Sequence, residues 1–283
     1  MSSTSSIAAA PIQRPVVVIE RRESGAIDLP ELWAYRELLF FLAWRDIQVR
    51  YKQTLLGVLW ALIQPLASMA IFSVFFGRIA GFAVTGAPYI LYAYTGFVLW
   101  TFVSNAVTTA SNSLVGSAYL VTKVYFPRIL IPMAATAAAV VDFLLGLLPL
   151  AVMLWWYRIP PSWSWFFSLA AFSATLVLAL SVGTLLSALN AKYRDVRHAV
   201  PFAVQLWMFA TPTFYSLDIV PLRWRWIANA NPATGLLEAF RRPLLGLPIG
   251  DAPIGLALSI TLALTVVALV VFRRMERRLA DVI

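Results

Sequence analysis

The chain of 283 residues contains no cysteine, one histidine (His198) and only 13 acidic side chains. Without cysteine it holds no disulfide and no thiolate-ligated metal, and a lone histidine leaves no histidine-rich metal site and no histidine proton relay. No Gly-x-x-x-x-Gly-Lys-Ser/Thr run occurs, nor any Gly-Lys dipeptide, so the sequence offers no P-loop to cradle ATP phosphates. Charge is scarce: 12% of residues are charged, against about 25% in an ordinary soluble domain. What fills the space is apolar, at 61% hydrophobic with a mean hydropathy of +0.80.

That apolar content is written in blocks. The stretch 55–76 (LLGVLWALIQPLASMAIFSVFF) carries no charge. At ~1.5 Å of rise per residue, ~20 helical residues cross a ~30 Å hydrocarbon core. Further blocks predict spans at 88–109, 129–157, 163–188, 199–217 and 253–272. The expectation is an all-α integral membrane protein with six transmembrane helices filling 55–272. Residues 1–27 are Ser/Ala/Pro-rich, lack a signal-peptide core and are expected to form a mobile cytosolic terminus. Residues 28–54 open with a capping pattern, Asp28 followed by Glu31. They mix aromatic with basic side chains, so they are expected to lie as an amphipathic helix at the membrane interface. Asp46 and Arg50 stand at the spacing of a helical ion pair. The segment 218–251 is too polar to span. Asn231-Pro232 and Pro243 divide it into short helices expected to re-enter from the outside before the last span, a plain external lid being the alternative, and 273–283 is expected to form a cytosolic tail.

With six spans both ends share a side, and that side collects 16 of the 22 basic residues. The positive-inside rule then puts both termini in the cytoplasm. The net charge of +9 is therefore a matter of topology and anchoring to membrane lipids, not of nucleic acid. Asp142 stands in the middle of the third span, where a charge costs about 2.5–3.5 kcal/mol on insertion scales. Two readings follow: a buried acid bonded to Ser104, Asn105 or Thr184 of a neighbouring span, or the carboxylate of a proton-coupled carrier. A membrane glycosyl- or acyltransferase would need such a base too, and only Asp142 is available.

Three segments carry a family resemblance: ELLFFLAWRDIQVRYKQTLLGVLWALIQPL at 37–66, YLVTKVYFPRILIP at 119–132 and NAKYRDVRHAVPFAVQLWMFATPTFY at 190–215, with Asn231-Pro232 and Phe240-Arg241 further on. Together they resemble the membrane subunit of ABC-2-type exporters, in particular the branch that exports O-antigen, teichoic acid or capsule. The resemblance implies a homodimer in the bacterial inner membrane, partnered by two copies of an ATP-binding cassette subunit that hold ATP and Mg. No cofactor is expected in this chain. The cargo implied is a polyprenyl-pyrophosphate-linked glycan, with a drug or small glycolipid as the alternative.

On that reading the first cytosolic loop would couple to the ATPase through Tyr119, Lys123, Phe126 and Arg128, although Lys123 and Arg128 would also serve topology alone. Arg194 and Asp195 of the second loop would couple, or else cap the fifth span. Arg45, Arg50 and Lys52, at the headgroup level before the first span, would receive the lipid pyrophosphate, since guanidinium forks suit phosphate oxygens; anchoring to anionic lipid is the alternative. Sugars present apolar C–H faces, so Tyr89, Tyr92, Tyr94, Phe97, Trp100, Trp207, Phe214 and Tyr215 would line the channel, unless they serve as packing or an interfacial belt.

Overall fold

In the computed structural model the described residues are 29–52, 59–75, 86–250 and 252–282, and all their regular structure is helical. Chain order gives α1 (Leu29–Ala34), α2 (Arg36–Tyr51), α3 (Leu59–Phe72), α4 (Tyr89–Gly116), α5 (Ala118–Lys123), α6 (Leu130–Trp156), α7 (Trp165–Lys192), α8 (Val196–Ala210), α9 (Arg225–Ala230), α10 (Pro232–Leu244) and α11 (Ile254–Val282). The expected mobile terminus, the Asp28 cap and the first residues of the first span lie outside the described residues.

Among the described residues four helices are long and apolar enough to cross a membrane: α4, α6, α7 and Ile254–Glu276 of α11. They match the second, third, fourth and sixth predicted spans. The helix α4 is the hub, packed against α3, α6, α7, α8 and α10, while α11 lies on α7 and α10. Close approach rests on small residues, as membrane helix packing favours. A Cβ on Gly183 of α7 would stand 2.6 Å from the Cβ of Ala110 on α4. The centre of the core is aromatic: Phe143 stacks on Phe172 at 4.1 Å and both meet Phe102.

Two boundaries differ from expectation. The sequence ends the second span at 109, before Ser111, Asn112 and Ser113, yet α4 runs on to Gly116. The polar groups are satisfied within the helix and by its neighbour. Ser111 and Ser113 hydroxyls donate to the carbonyls of Thr108 and Ala110, and the Asn190 amide of α7 donates to Ser111 O and Asn112 Oδ1 at 2.9 and 3.1 Å. Where a fifth span is expected over 199–217, the chain forms the 15-residue α8, ending at Ala210. Pro212 disfavours the α region for the residue before it, and Thr211 is indeed extended at φ −101° and ψ 136°.

After α8 the chain turns inward. The side chain of Asn231 caps α10 by accepting from the Ala233 N–H at 3.1 Å, and Pro232 takes the first turn, where its missing N–H costs nothing. All of the 13 residues of α10 except Arg242 are buried, packed against α7, α11, α4 and α9.

Candidate functional site

The residues singled out by sequence fall into three groups. The first lies around α5. Leu42 of α2, Leu114, Val121, Phe126, Leu130, Ile131 and Phe272 of α11 form one buried apolar cluster. Phe126 is thus an anchor. Arg128 is an anchor too: its backbone N–H donates to Glu276 Oε1 at 3.1 Å and its guanidinium to the Glu276 carbonyl at 2.6 Å. Held from beneath in this way, the loop turns outward Tyr119 and Tyr125, about three-quarters exposed at 75% and 74%, together with Lys123. The expected coupling set divides accordingly into two exposed residues (Tyr119, Lys123) and two that hold the loop (Phe126, Arg128). Arg194 and Asp195 are both exposed. Asp195 stands at the start of α8, where its carbonyl, not its carboxylate, accepts from the N–H groups of His198 and Ala199.

The second group joins α2 to the middle of α6. Arg50 and the Tyr51 hydroxyl both donate to the Asp142 carboxylate, which is only 10% exposed. This corrects two expectations. The partners of Asp142 are not Ser104, Asn105 or Thr184 but the end of α2, and Arg50 does not pair with Asp46. Asp46 is taken by the adjacent Arg45, whose guanidinium curls back to Oδ1 at 2.8 and 3.0 Å. The length of the Arg side chain defeats the rule that adjacent helical positions do not meet. Of the three cations expected to receive pyrophosphate, Arg50 is committed to Asp142, whereas Arg45 and Lys52 are exposed. The helix α2 packs along α6, with its last turn reaching the level of Asp142.

The third group is aromatic. Tyr92, Tyr94, Phe97, Trp100 and Phe214 are buried inside the protomer, and Tyr89, Trp207 and Tyr215 are half-buried. They bond to one another and to the backbone. Trp100 meets Trp207 edge-on at 5.5 Å, Phe97 meets Phe214 at 5.7 Å, the Tyr94 hydroxyl donates to Gly146 O at 3.0 Å and the Tyr89 hydroxyl to Phe214 O at 2.8 Å. In this conformation the buried five are core: the packing alternative describes them, since Tyr94 packs to α6, Tyr92 to α10, Trp100 to α8 and Phe97 to Phe214, and none is more than 8% exposed.

A fourth cluster was missed by sequence. On α10, Glu238 and Arg241 are both at 0% exposure and form an ion pair, and Arg242 closes on the second carboxylate oxygen. Arg241 also donates to the carbonyls of Thr213 and Pro212 at 3.2 and 3.1 Å, and its guanidinium lies 3.5 Å over the Tyr92 ring. Burial alone would push the Glu238 carboxyl up, but Arg241 and then Arg242 outweigh it and hold it below the ordinary carboxylate range. Gly96 of α4 admits this arrangement, since a Cβ there would stand 2.4 Å from Thr213 O. The E-x-x-R-R spacing was legible; its burial was not.

These observations define a multi-pass helical membrane protein with an anchored, outward-facing first loop and a salt-bridged helix buried before the last span. The family follows from comparison. The family model described as ABC-2 type transporter matches residues 37–245, and the chain belongs to that family. It is similar to an "O-antigen export system permease protein RfbA" of Klebsiella pneumoniae, at 26% identity over 248 residues, covering 87% of this chain and 95% of the relative. A Myxococcus xanthus protein of the same name is 28% identical over 190 residues, covering 67% of this chain and 72% of the relative.

Proposed function

We propose that this chain is the permease half of an ATP-driven exporter that carries a lipid-linked polysaccharide of O-antigen type across a bacterial inner membrane. The observation that carries the reading is the likeness to O-antigen export permeases along almost the whole length of both proteins. Two copies of the chain would assemble with two ATP-binding subunits, which supply the ATP and Mg chemistry. The six-span arrangement with both termini in the cytoplasm assigns α3 and α8 as the first and fifth spans and α9–α10 as re-entrant. It rests on the basic bias of one side and on the burial of α10. Residues 1–27 and 273–283 are then cytosolic, 28–54 the interfacial segment before the first span, and 55–272 the transmembrane domain.

Within this reading Tyr119 and Lys123 of the first loop and Arg194 and Asp195 of the second, all exposed, are the ATPase contacts. Phe126, Arg128 and Glu276 keep the first loop in place. Lys52 remains available to a pyrophosphate, as does the exposed Arg45 once it exchanges the adjacent Asp46 for phosphate oxygens, and the half-buried Tyr89, Trp207 and Tyr215 border the glycan path. An exposed aromatic beside a cation is the composition of an interface anchor. The double substitution Tyr119→Ala with Lys123→Glu is expected to remove about 2 kcal/mol of subunit contact, roughly thirtyfold in affinity, and so to lower copurification of the ATP-binding subunit without altering membrane insertion. Undiminished copurification would move the contact elsewhere.

The function itself is tested in a deletion strain. Surface polysaccharide should disappear while a polyprenyl-linked polymer accumulates on the cytosolic leaflet. A normal surface without accumulation would reject the polysaccharide cargo in favour of a drug or small glycolipid.

A further inference from the structure

We infer that the cavity between α2, α3, α4 and α6 is a subsite for one uncharged sugar ring of the exported glycan, an assignment that rests on the proposed export function. The cavity measures about 220 Å³. At ~30 Å³ of liquid volume per water it holds about seven waters, the space of a single hexose rather than of a chain.

Its polar lining is unusual for membrane depth. Gln64 of α3 and Thr101 and Asn105 of α4 line it, and their side chains make no hydrogen bond among the described residues. Gln64 is exposed and Thr101 and Asn105 are half-buried, so all three present free donor and acceptor capacity to whatever enters the cavity. The fourth polar element is the Arg50–Asp142 pair with Tyr51, which lines the same cavity.

The charges decide the class of occupant. A carboxylate already matched by its guanidinium leaves the cavity near neutrality, and Asp142 would repel a phosphate brought against it. This is therefore not the pyrophosphate site. Sugar hydroxyls are each donor and acceptor, as are the paired C=O and NH2 of Gln64 and Asn105. Trp60 on α3, with Phe102 and Phe143 behind, supplies apolar ring surface for the C–H face of a pyranose. Planar polar side chains at the edges and an indole at the wall match a carbohydrate ring better than a lipid tail.

The absence of cysteine makes the test clean, because a single introduced thiol is the only one in the chain. Gln64→Cys, Thr101→Cys and a control on α11, Leu258→Cys, are introduced separately into the otherwise complete transporter. N-ethylmaleimide labelling is timed in inner-membrane vesicles from two strains: one making the lipid-linked polysaccharide and one blocked in transferring the first sugar to polyprenyl phosphate. Labelling at 64 and 101 should be about tenfold slower in the loaded membranes, the factor 1 + [L]/Kd at nine-tenths occupancy, with no change at 258. Equal and fast labelling in both strains overturns the assignment in favour of water. Equal and slow labelling overturns it in favour of a phospholipid headgroup. Gln64 is exposed, so its variant carries the test if Thr101→Cys fails to fold. Failure of the export reading shows separately, as a normal surface in the deletion strain, whatever the labelling rates.

Discussion

Replacing Glu238 with glutamine is expected to cost about 3–5 kcal/mol of stability, the range for breaking a buried ion pair by removing one partner. The carboxylate is the anion that both guanidinium groups close on, Arg241 wholly enclosed and Arg242 half-buried. Its loss leaves two cations facing a neutral amide. Arg241→Met should cost less, about 1–3 kcal/mol, because Glu238 keeps Arg242 and the loss is mainly that of the two bonds to the Thr213 and Pro212 carbonyls. The double variant should therefore lose less than the sum of the singles, a coupling that a double-mutant cycle reads directly. The measurement is thermal unfolding of the purified protein, followed by tryptophan fluorescence. At ~2–4 °C per kcal/mol for a chain of this size, Glu238→Gln should lower the midpoint by about 6–20 °C. A Glu238→Gln midpoint within about 2 °C of the parent, or strictly additive losses, would mean that the three side chains are not coupled.

This cluster also marks how far the fold could be read from the sequence. The helices α4, α6, α7 and α11 were legible because a ~20-residue apolar run has few alternatives in a membrane. Their ends were less so. Polarity at Ser111–Ser113 read as a stop, yet Ser and Thr hydroxyls satisfy themselves on carbonyls a turn back, and an amide 79 residues away completes the set. The helix α8 ends short of the apolar run because Pro212 places on Thr211 a backbone restriction that hydropathy ignores. Among the site residues, Tyr119 and Lys123 were legible as exposed, since an aromatic and basic loop between spans has little else to do. Phe126 and Arg128 were not separable from them: what anchors Arg128 is Glu276, 148 residues on. The Glu238 pairing was local in spacing, but the enclosure that gives it weight comes from α4, α7 and α11, which no window on α10 contains.

Arg50→Met is expected to harm the fold more than Asp142→Asn, and the difference separates a structural ion pair from a proton carrier. Asp142 sits at mid-helix in α6 with 10% of its side chain accessible, whereas Arg50 retains 28% and a flexible stem. Removing Arg50 strands the carboxylate at a depth where an unpaired charge costs about 2.5–3.5 kcal/mol. Removing only the charge of Asp142 leaves an oxygen that still accepts from Tyr51 and Arg50, and lets the guanidinium turn toward water, for a loss nearer 1 kcal/mol. Exchanging the two charges, Arg50→Asp with Asp142→Arg, should recover part of what Arg50→Met loses. A proton-coupled transporter makes the opposite demand: Asp142→Asn would stop transport with the fold and the ATPase subunit intact, since the amide cannot cycle a proton. The readouts are unfolding midpoint and surface polysaccharide measured on the same variants. Export that survives Asp142→Asn in proportion to folded protein keeps the drive with ATP; export abolished in a fully folded Asp142→Asn protein, with the Gln64→Cys thiol still protected by the loaded glycan, would place a proton step in this chain, since the amide still lines the cavity but cannot cycle a proton.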